Sequence, residues 1–189
     1  MLSSKIQSFF PSFTKATNSS NEAKNQVISG NVTFAKSILD VKNSSAYRID
    51  TRSPETIRKF GFSGTNNNDP LEVRVFGDKT VFASGTKGGV EKFMKSDGFI
   101  NDKSFCHIYK INTTNHKVFS FAKNYKENPD ELIAGISRLA TKELGLLREE
   151  AMRLAAKSIH NDYLAVDELQ IEGPIKPESI KHIETVKMK

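Results

Sequence analysis

Residues Ala46-Tyr47-Arg48-Ile49-Asp50-Thr51-Arg52-Ser53-Pro54-Glu55, running on through Ile57 to Gly61-Phe62 and Asn66-Asn67-Asn68-Asp69, decide how the chain is read. Tyr47 and Ile49 alternate with Arg48 and Asp50, which predicts a short strand carrying two charges on one face. Ser53 suits an N-cap, Pro54 the first helical position and Glu55 the positive end of a helix dipole, so a helix is expected from Pro54 to Phe60. Gly61 then supplies a left-handed C-cap. An arginine on a strand beside a helix start is well placed to hold a phosphate bidentately. The same residues also fit a plain Arg48–Asp50 ion pair.

Around this stretch, 189 residues are enough for one domain with a tail and a substantial core. No apolar run approaches the roughly 18 residues a membrane span needs, so no span is expected. Cys106 is the single cysteine, which rules out an intrachain disulfide and suggests action in a reducing cytosol. The first residues hold only Ile6 and Phe9-Phe10 among Ser, Gln and Pro, so no secretory signal peptide is expected. The net charge of +6 divides equally between residues 1–45 and the rest, too thin a footprint to point to nucleic acid.

Residues 1–30 are rich in Ser, Thr, Asn and Lys without periodicity and read as a disordered leader, with the domain spanning 31–189. A short helix is expected within Thr33 to Val41. Leu71 to Phe76 and Thr80 to Ser84 read as two strands joined by a Gly77-Asp78 turn, and Gly88-Gly89 leads into a helix from Val90 to Lys95. Ser104 to Ile111 alternates as a strand, with Phe105, His107, Tyr109 and Ile111 on one face, and Val118 to Ala122 follows as another. Cys106 and His107 are strand neighbours that point to opposite faces, which argues against a thiol–imidazole pair. The four histidines show no metal spacing, and no metal is expected. Asn128-Pro129-Asp130-Glu131 opens a helical stretch over residues 129–160, with a break near Gly145.

Three of these segments carry a resemblance. Tyr47-Arg48-x-Asp50-x-Arg52-x-Pro54-Glu55, with Gly61-Phe62 and the Asn-rich loop, resembles the opening of the catalytic subunits of pertussis and cholera toxins, which are mono-ADP-ribosyltransferases. Ser84-Gly85-Thr86 resembles the family's Ser-Thr-Ser at the end of a strand lining the NAD pocket. Glu168 stands seven residues before Ile175, and Pro177-Glu178-Ser179-Ile180 follows, as around the catalytic glutamate of the pertussis type. Glu172, in Gln170-Ile171-Glu172, is the alternative catalytic carboxylate.

The resemblance implies an α+β fold, a split β-sandwich of two roughly orthogonal sheets with NAD in the cleft and helices outside. It implies Arg48, Ser84 and Glu168 as catalytic residues, and Arg48, Asp50, Ser84, Gly85 and Thr86 as the residues that bind NAD, which is the substrate. Tyr163, Val166 and Asp167, around Glu168, are the candidates for contact with a target protein. Arginine-directed transferases carry Glu two residues before the catalytic carboxylate and others carry Gln; Val166 stands there in this chain, which leaves the modified residue type open. The implied protein is a monomeric bacterial effector or toxin, exported by a type III-like route and acting on a protein in the cytosol of another cell. An NAD glycohydrolase, a nucleic-acid ADP-ribosyltransferase and a degenerate NAD-binding module are the alternative readings.

Overall fold

A computed structural model describes residues 30–34, 41–42, 44–65, 69–96 and 104–188. The short helix expected within 33–41 and the Asn-rich loop at 66–68 fall largely or wholly outside these residues. Strand β1 is Ser45–Asp50, and helix α1, Pro54–Phe60, follows it. The Ser53 hydroxyl accepts the Thr56 N–H at 3.3 Å, as its N-cap position predicts. Gly61 closes the helix at φ +64°, and a β-carbon there would lie 2.1 Å from the Ile175 carbonyl oxygen, so glycine is required twice over. Next come β2 (Thr80–Ser84), α2 (Lys87–Met94), β3 (Phe105–Asn112), β4 (Val118–Ser120), α3 (Phe121–Glu127), α4 (Pro129–Leu144), α5 (Arg148–Ser158), β5 (Glu168–Glu172) and β6 (Ile180–Lys187).

The α+β class is as expected, but the described strands form one antiparallel sheet, ordered β4-β5-β2-β1-β3-β6, where two sheets were expected. Its weakest seam is in the middle: β1 and β2 share the single pair Tyr47↔Ser84, whereas β1 and β3 pair over six residues from Ser45 to Asp50. One face of the sheet buries Ala46, Val81, Tyr109, Ile111, Leu169 and Ile171 against Ile57 of α1, Phe62 and Ile175. The other face, at the β4–β5 end, meets the helices: Phe119 and Phe121 pack with Leu132, Ile136 and Leu139 of α4 and with Ala155 and Ile159. The long helical stretch breaks at Gly145, as its sequence indicated.

Two expected strands are corrected. Val118 to Ala122 is extended only to Ser120, whose hydroxyl accepts the Lys123 N–H at 3.2 Å and starts α3. Leu71 to Phe76 is not a strand of the sheet, although its apolar alternation is real: Val73 and Val75 are buried in the helix-side core. Its backbone is held by side-chain amides. Asn31 donates through Nδ2 to the Glu72 carbonyl at 2.7 Å and accepts the Arg74 N–H at 2.8 Å. On the other side Gln170 accepts the Val75 N–H and donates to the Val73 carbonyl, both at 2.8 Å. These four backbone groups are thus satisfied by side chains, and the Arg74 carbonyl accepts the Asn31 and Gly77 N–H groups, both at 3.2 Å.

Residues 30–34 thereby belong to the packed structure. Val32 is 2% exposed within the helix-side core, and the Phe34 ring stacks on Phe119 with centroids 5.4 Å apart. Arg138 of α4 donates to the Thr33 carbonyl at 2.7 Å. Val32→Ala is therefore expected to lower unfolding stability by about 1–3 kcal/mol, read from the midpoint of a urea titration at unchanged slope.

Candidate functional site

Arg48, Ser84 and Glu168 lie in β1, at the end of β2 and at the start of β5, three strands that neighbour one another. The registers Tyr47↔Ser84 and Ser84↔Glu168 put Tyr47, Ser84 and Glu168 on one rung across the sheet. Residues directly opposite share a face, so Ser84 and Glu168 face the same way. Arg48 is one residue along from that rung and on the other pleat. Its guanidinium lies along the β1–β2 seam, donating through Nη1 to the Phe82 carbonyl at 2.7 Å and sitting 5.1 Å from the Phe62 ring centroid.

The ion pair open to Arg48 is taken first by its neighbour. Arg52 grips both oxygens of Asp50, at 2.8 Å through Nε and 2.7 Å through Nη2, while Arg48 stays at 3.4 Å. Burial pushes the Asp50 carboxyl up, but the Arg52 hydrogen bonds and both guanidinium charges outweigh it and hold Asp50 below its usual value. Asp50 is thus a fixed anion that anchors Arg52 and lends Arg48 only a long contact. Arg52 belongs to the motif quoted from the sequence, which gave it no role of its own.

Ser84 is 4% exposed and does not bond to Glu168. Its Oγ accepts the Thr86 N–H at 3.2 Å and has two acceptors for its one proton, the Val166 carbonyl at 2.7 Å and the Thr86 carbonyl at 2.9 Å. It fixes Glu168 through the backbone of the turn that delivers it. Gly85 adds an N–H to the Asp167 carbonyl at 2.8 Å, and a β-carbon at Gly85 would meet the Asp167 carboxylate at 2.3 Å. Thr86 caps α2, accepting the Gly89 N–H at 3.0 Å. Gly89 is packed so closely that a β-carbon would lie 2.1 Å from both the Ser84 Oγ and the Val166 oxygen. The sequence Ser84-Gly85-Thr86 and the turn Val166-Asp167 therefore form one interlocked unit, with Asp167 at φ +51°.

Tyr163 stacks on Phe121, with centroids 4.1 Å apart and planes 8° from parallel, so its ring belongs to the packing beside Glu168. Burial, then the charges of Glu168, Asp162, Glu72 and Asp69, push its phenol well above the usual value. Glu172 lies at the far end of β5, opposite Thr80 and 3.3 Å from the Lys117 ammonium. Four residues of strand, about 13 Å, separate it from Glu168. The geometry does not bring Glu172 to the rung of Ser84 and Glu168.

Two residues that sequence reasoning passed over belong to this site. Gln170, fully buried, donates from Nε2 to the Glu168 Oε1 at 2.9 Å. Glu72 acts electrostatically on Arg48, Glu168 and Tyr163 alike, so its carboxylate lies within the field of all three. Gln170 was legible as the polar residue between Leu169 and Ile171, two along from Glu168 on the same face. Glu72 carried no such signal, because its segment read as an ordinary strand.

Burial is the main influence on Glu168 and pushes its carboxyl up to about 8, against the lowering effect of the Gln170 hydrogen bond and with smaller raising contributions from Glu72 and Asp162. A partly buried carboxyl of this kind can take up or release a proton near neutral pH, and once ionised it is a concentrated negative charge facing whatever occupies the site. Among the described residues no group of three His, Cys, Asp or Glu side chains is placed to hold a metal ion, and no helix is long and apolar enough to cross a membrane.

No protein-family model matches the sequence, and no curated protein matches it. Among solved structures the chain is similar to a nicked CARDS toxin, with a TM-score of 0.47 and 20% identity over 73% of this chain and 24% of the toxin's. The chain thus spans about a quarter of that toxin's length.

The raised Glu168 makes a stability prediction. Between about 4.5, its ordinary value, and about 8 the folded state binds a proton that the unfolded state has released, so stability contributed by this residue falls as pH rises through that window. Glu168→Gln removes the penalty. The variant is expected to match the parent near pH 4.5 and to exceed it by on the order of 2 kcal/mol at pH 8, measured by denaturant unfolding at a series of pH values.

Proposed function

We propose that this chain is a mono-ADP-ribosyltransferase that cleaves NAD at the bond between nicotinamide and ribose and passes ADP-ribose to a target protein. The observation that carries the reading is the rung on which Ser84 and Glu168 stand opposite each other, with Arg48 at the adjoining seam. Three residues separated by 36 and 84 positions in the chain stand on three neighbouring strands, in the chain order that the resemblance calls for. Three anchors in this order on neighbouring strands support the reading more than any one motif would.

The chemistry follows from the residue types. As the C1′–N1 bond lengthens, its electron pair goes to the pyridinium nitrogen and nicotinamide leaves neutral. Positive charge then develops at the ribose, much as in glycoside cleavage. An ionised Glu168 stabilises that charge and accepts a hydrogen bond from the 2′-hydroxyl. Arg48, only loosely held by Asp50, supplies guanidinium N–H groups to a phosphate, and Phe62 keeps one face of it dry. Ser84, Gly85 and Thr86 fix the turn before Glu168, so the carboxylate meets the ribose without first being ordered. The acceptor's nucleophile closes the reaction by bonding to C1′ and giving up its proton.

The test is incubation with labelled NAD and a cell lysate, followed for both labelled protein and free nicotinamide. Glu168→Gln is expected to reduce both signals by at least about a hundredfold. Arg48→Lys should raise KM for NAD about tenfold, because an ammonium cannot reproduce the two-pronged contact. Parent-level labelling by Glu168→Gln would overturn the reading, and nicotinamide release with no labelled protein would make the chain an NAD glycohydrolase. The parent's kcat/KM should rise with pH through about 8 as Glu168 ionises in the free enzyme.

A further inference from the structure

Gln170 has three hydrogen-bonding capacities in use and no contact with solvent. Its Oε1 accepts the Val75 N–H at 2.8 Å, and its Nε2 donates to the Val73 carbonyl at 2.8 Å and to the Glu168 Oε1 at 2.9 Å. The amide orientation is dictated by its partners. Val75 N–H needs an acceptor, and a reversed amide would set a donor against that donor and the carbonyl oxygen against two acceptors. The residue is 0% exposed, so no water could compensate for such a reversal.

The segment that fixes Gln170 is itself held from its other side. In an extended chain, the carbonyl of one residue and the N–H two residues on point the same way. Val73 O and Val75 N–H face Gln170, while Glu72 O and Arg74 N–H face Asn31, which bonds both. Residues 72–75 are thus clasped between two primary amides, one from the strand that bears Glu168 and one from residues 30–34.

We propose that Gln170 is a positioning residue for Glu168: clasped by the 72–75 segment, it aims one N–H at the Glu168 carboxylate and so sets both its direction and the pH at which it ionises. The inference deepens the ADP-ribosyltransferase reading and rests on it for its meaning in catalysis, but the amide–carboxylate contact can be tested without any activity. Asn31 supports the clasp from a distance and touches neither Glu168 nor Gln170. A merely structural role for Gln170 would leave Glu168's ionisation where it is.

Three measurements decide this. In the parent protein, the Gln170 side-chain amide protons, followed by ¹⁵N-resolved NMR, should shift with a single titration that disappears in Glu168→Gln. This readout needs no substrate and no folded Gln170 variant. In Gln170→Met, the ascending limb of kcat/KM for NAD cleavage should move up by about one pH unit, because a hydrogen bond that favours the ionised carboxylate is gone. Asn31→Ala should lower Tm as Gln170→Met does, yet leave that limb in place. Amide protons that ignore the Glu168 titration would overturn the proposal, as would equal displacement of the limb by both variants or by neither. Loss of the functional reading looks different: no NAD cleavage by the parent, with the amide titration intact.

Discussion

The antiparallel pairing of β2 with β5 is the constraint on which the rest depends. Its five pairs run from Thr80↔Glu172 to Ser84↔Glu168. Side chains alternate along a strand, so this register sends Leu169 and Ile171 into the core with Val81, and Glu168 and Gln170 to the other face. A slip of one residue would drive a carboxylate and an amide among Val81, Ile111 and Ile175, where nothing could satisfy them. The packing of the core and the juxtaposition of Ser84 with Glu168 are consequences of one register. The end of the ladder is locked as well, by the Gly85 N–H on the Asp167 carbonyl and the Ser84 hydroxyl against Val166.

The site is costly in the way a functional site tends to be. Asp50 and Arg52 form a close pair that satisfies both, while Arg48 donates to the Phe82 carbonyl with only a long contact to Asp50, and Glu168 accepts a hydrogen bond from Gln170. Burial, with Glu72 adding to it, pushes the Glu168 carboxyl up to about 8 against the pull of Gln170. On the proposed reading, a dinucleotide bearing two phosphates and a cationic ring would meet both groups at once, its anions at Arg48 and its positive charge favouring ionised Glu168. The binding free energy of such a ligand would then be directed at these two groups.

Much of this was legible because it rests on local rules. Ser53-Pro54-Glu55 announced α1 and Gly145 the break between α4 and α5, and the motifs named Arg48, Ser84 and Glu168, which stand on three neighbouring strands. Other features depend on partners far along the chain. Val118 to Ala122 reads as a strand until the Ser120 hydroxyl is seen to cap α3, and the alternation of Glu72-Val73-Arg74-Val75 correctly reports an extended chain with Val73 and Val75 inside. Periodicity reports which side chains are buried and says nothing about what pairs with the backbone. The single Tyr47↔Ser84 pair that joins the two halves of the sheet had no sequence signal at all, because it follows from how β1 and β2 splay.

Clasping residues 72–75 between amides has a consequence that another strand could not provide. In a backbone ladder every N–H and carbonyl facing the neighbour is consumed by the pairing, and none remains for a side chain in the site. A primary amide has two donors and an acceptor; after serving Val73 and Val75, Gln170 still has one N–H, and Glu168 takes it. The extended segment is therefore secured by a group that also governs the carboxylate. Asn31 performs the same backbone service on the outer side, where no carboxylate needs holding. A backbone strand in place of the two amides would satisfy the same groups and leave Glu168 with no donor from this side.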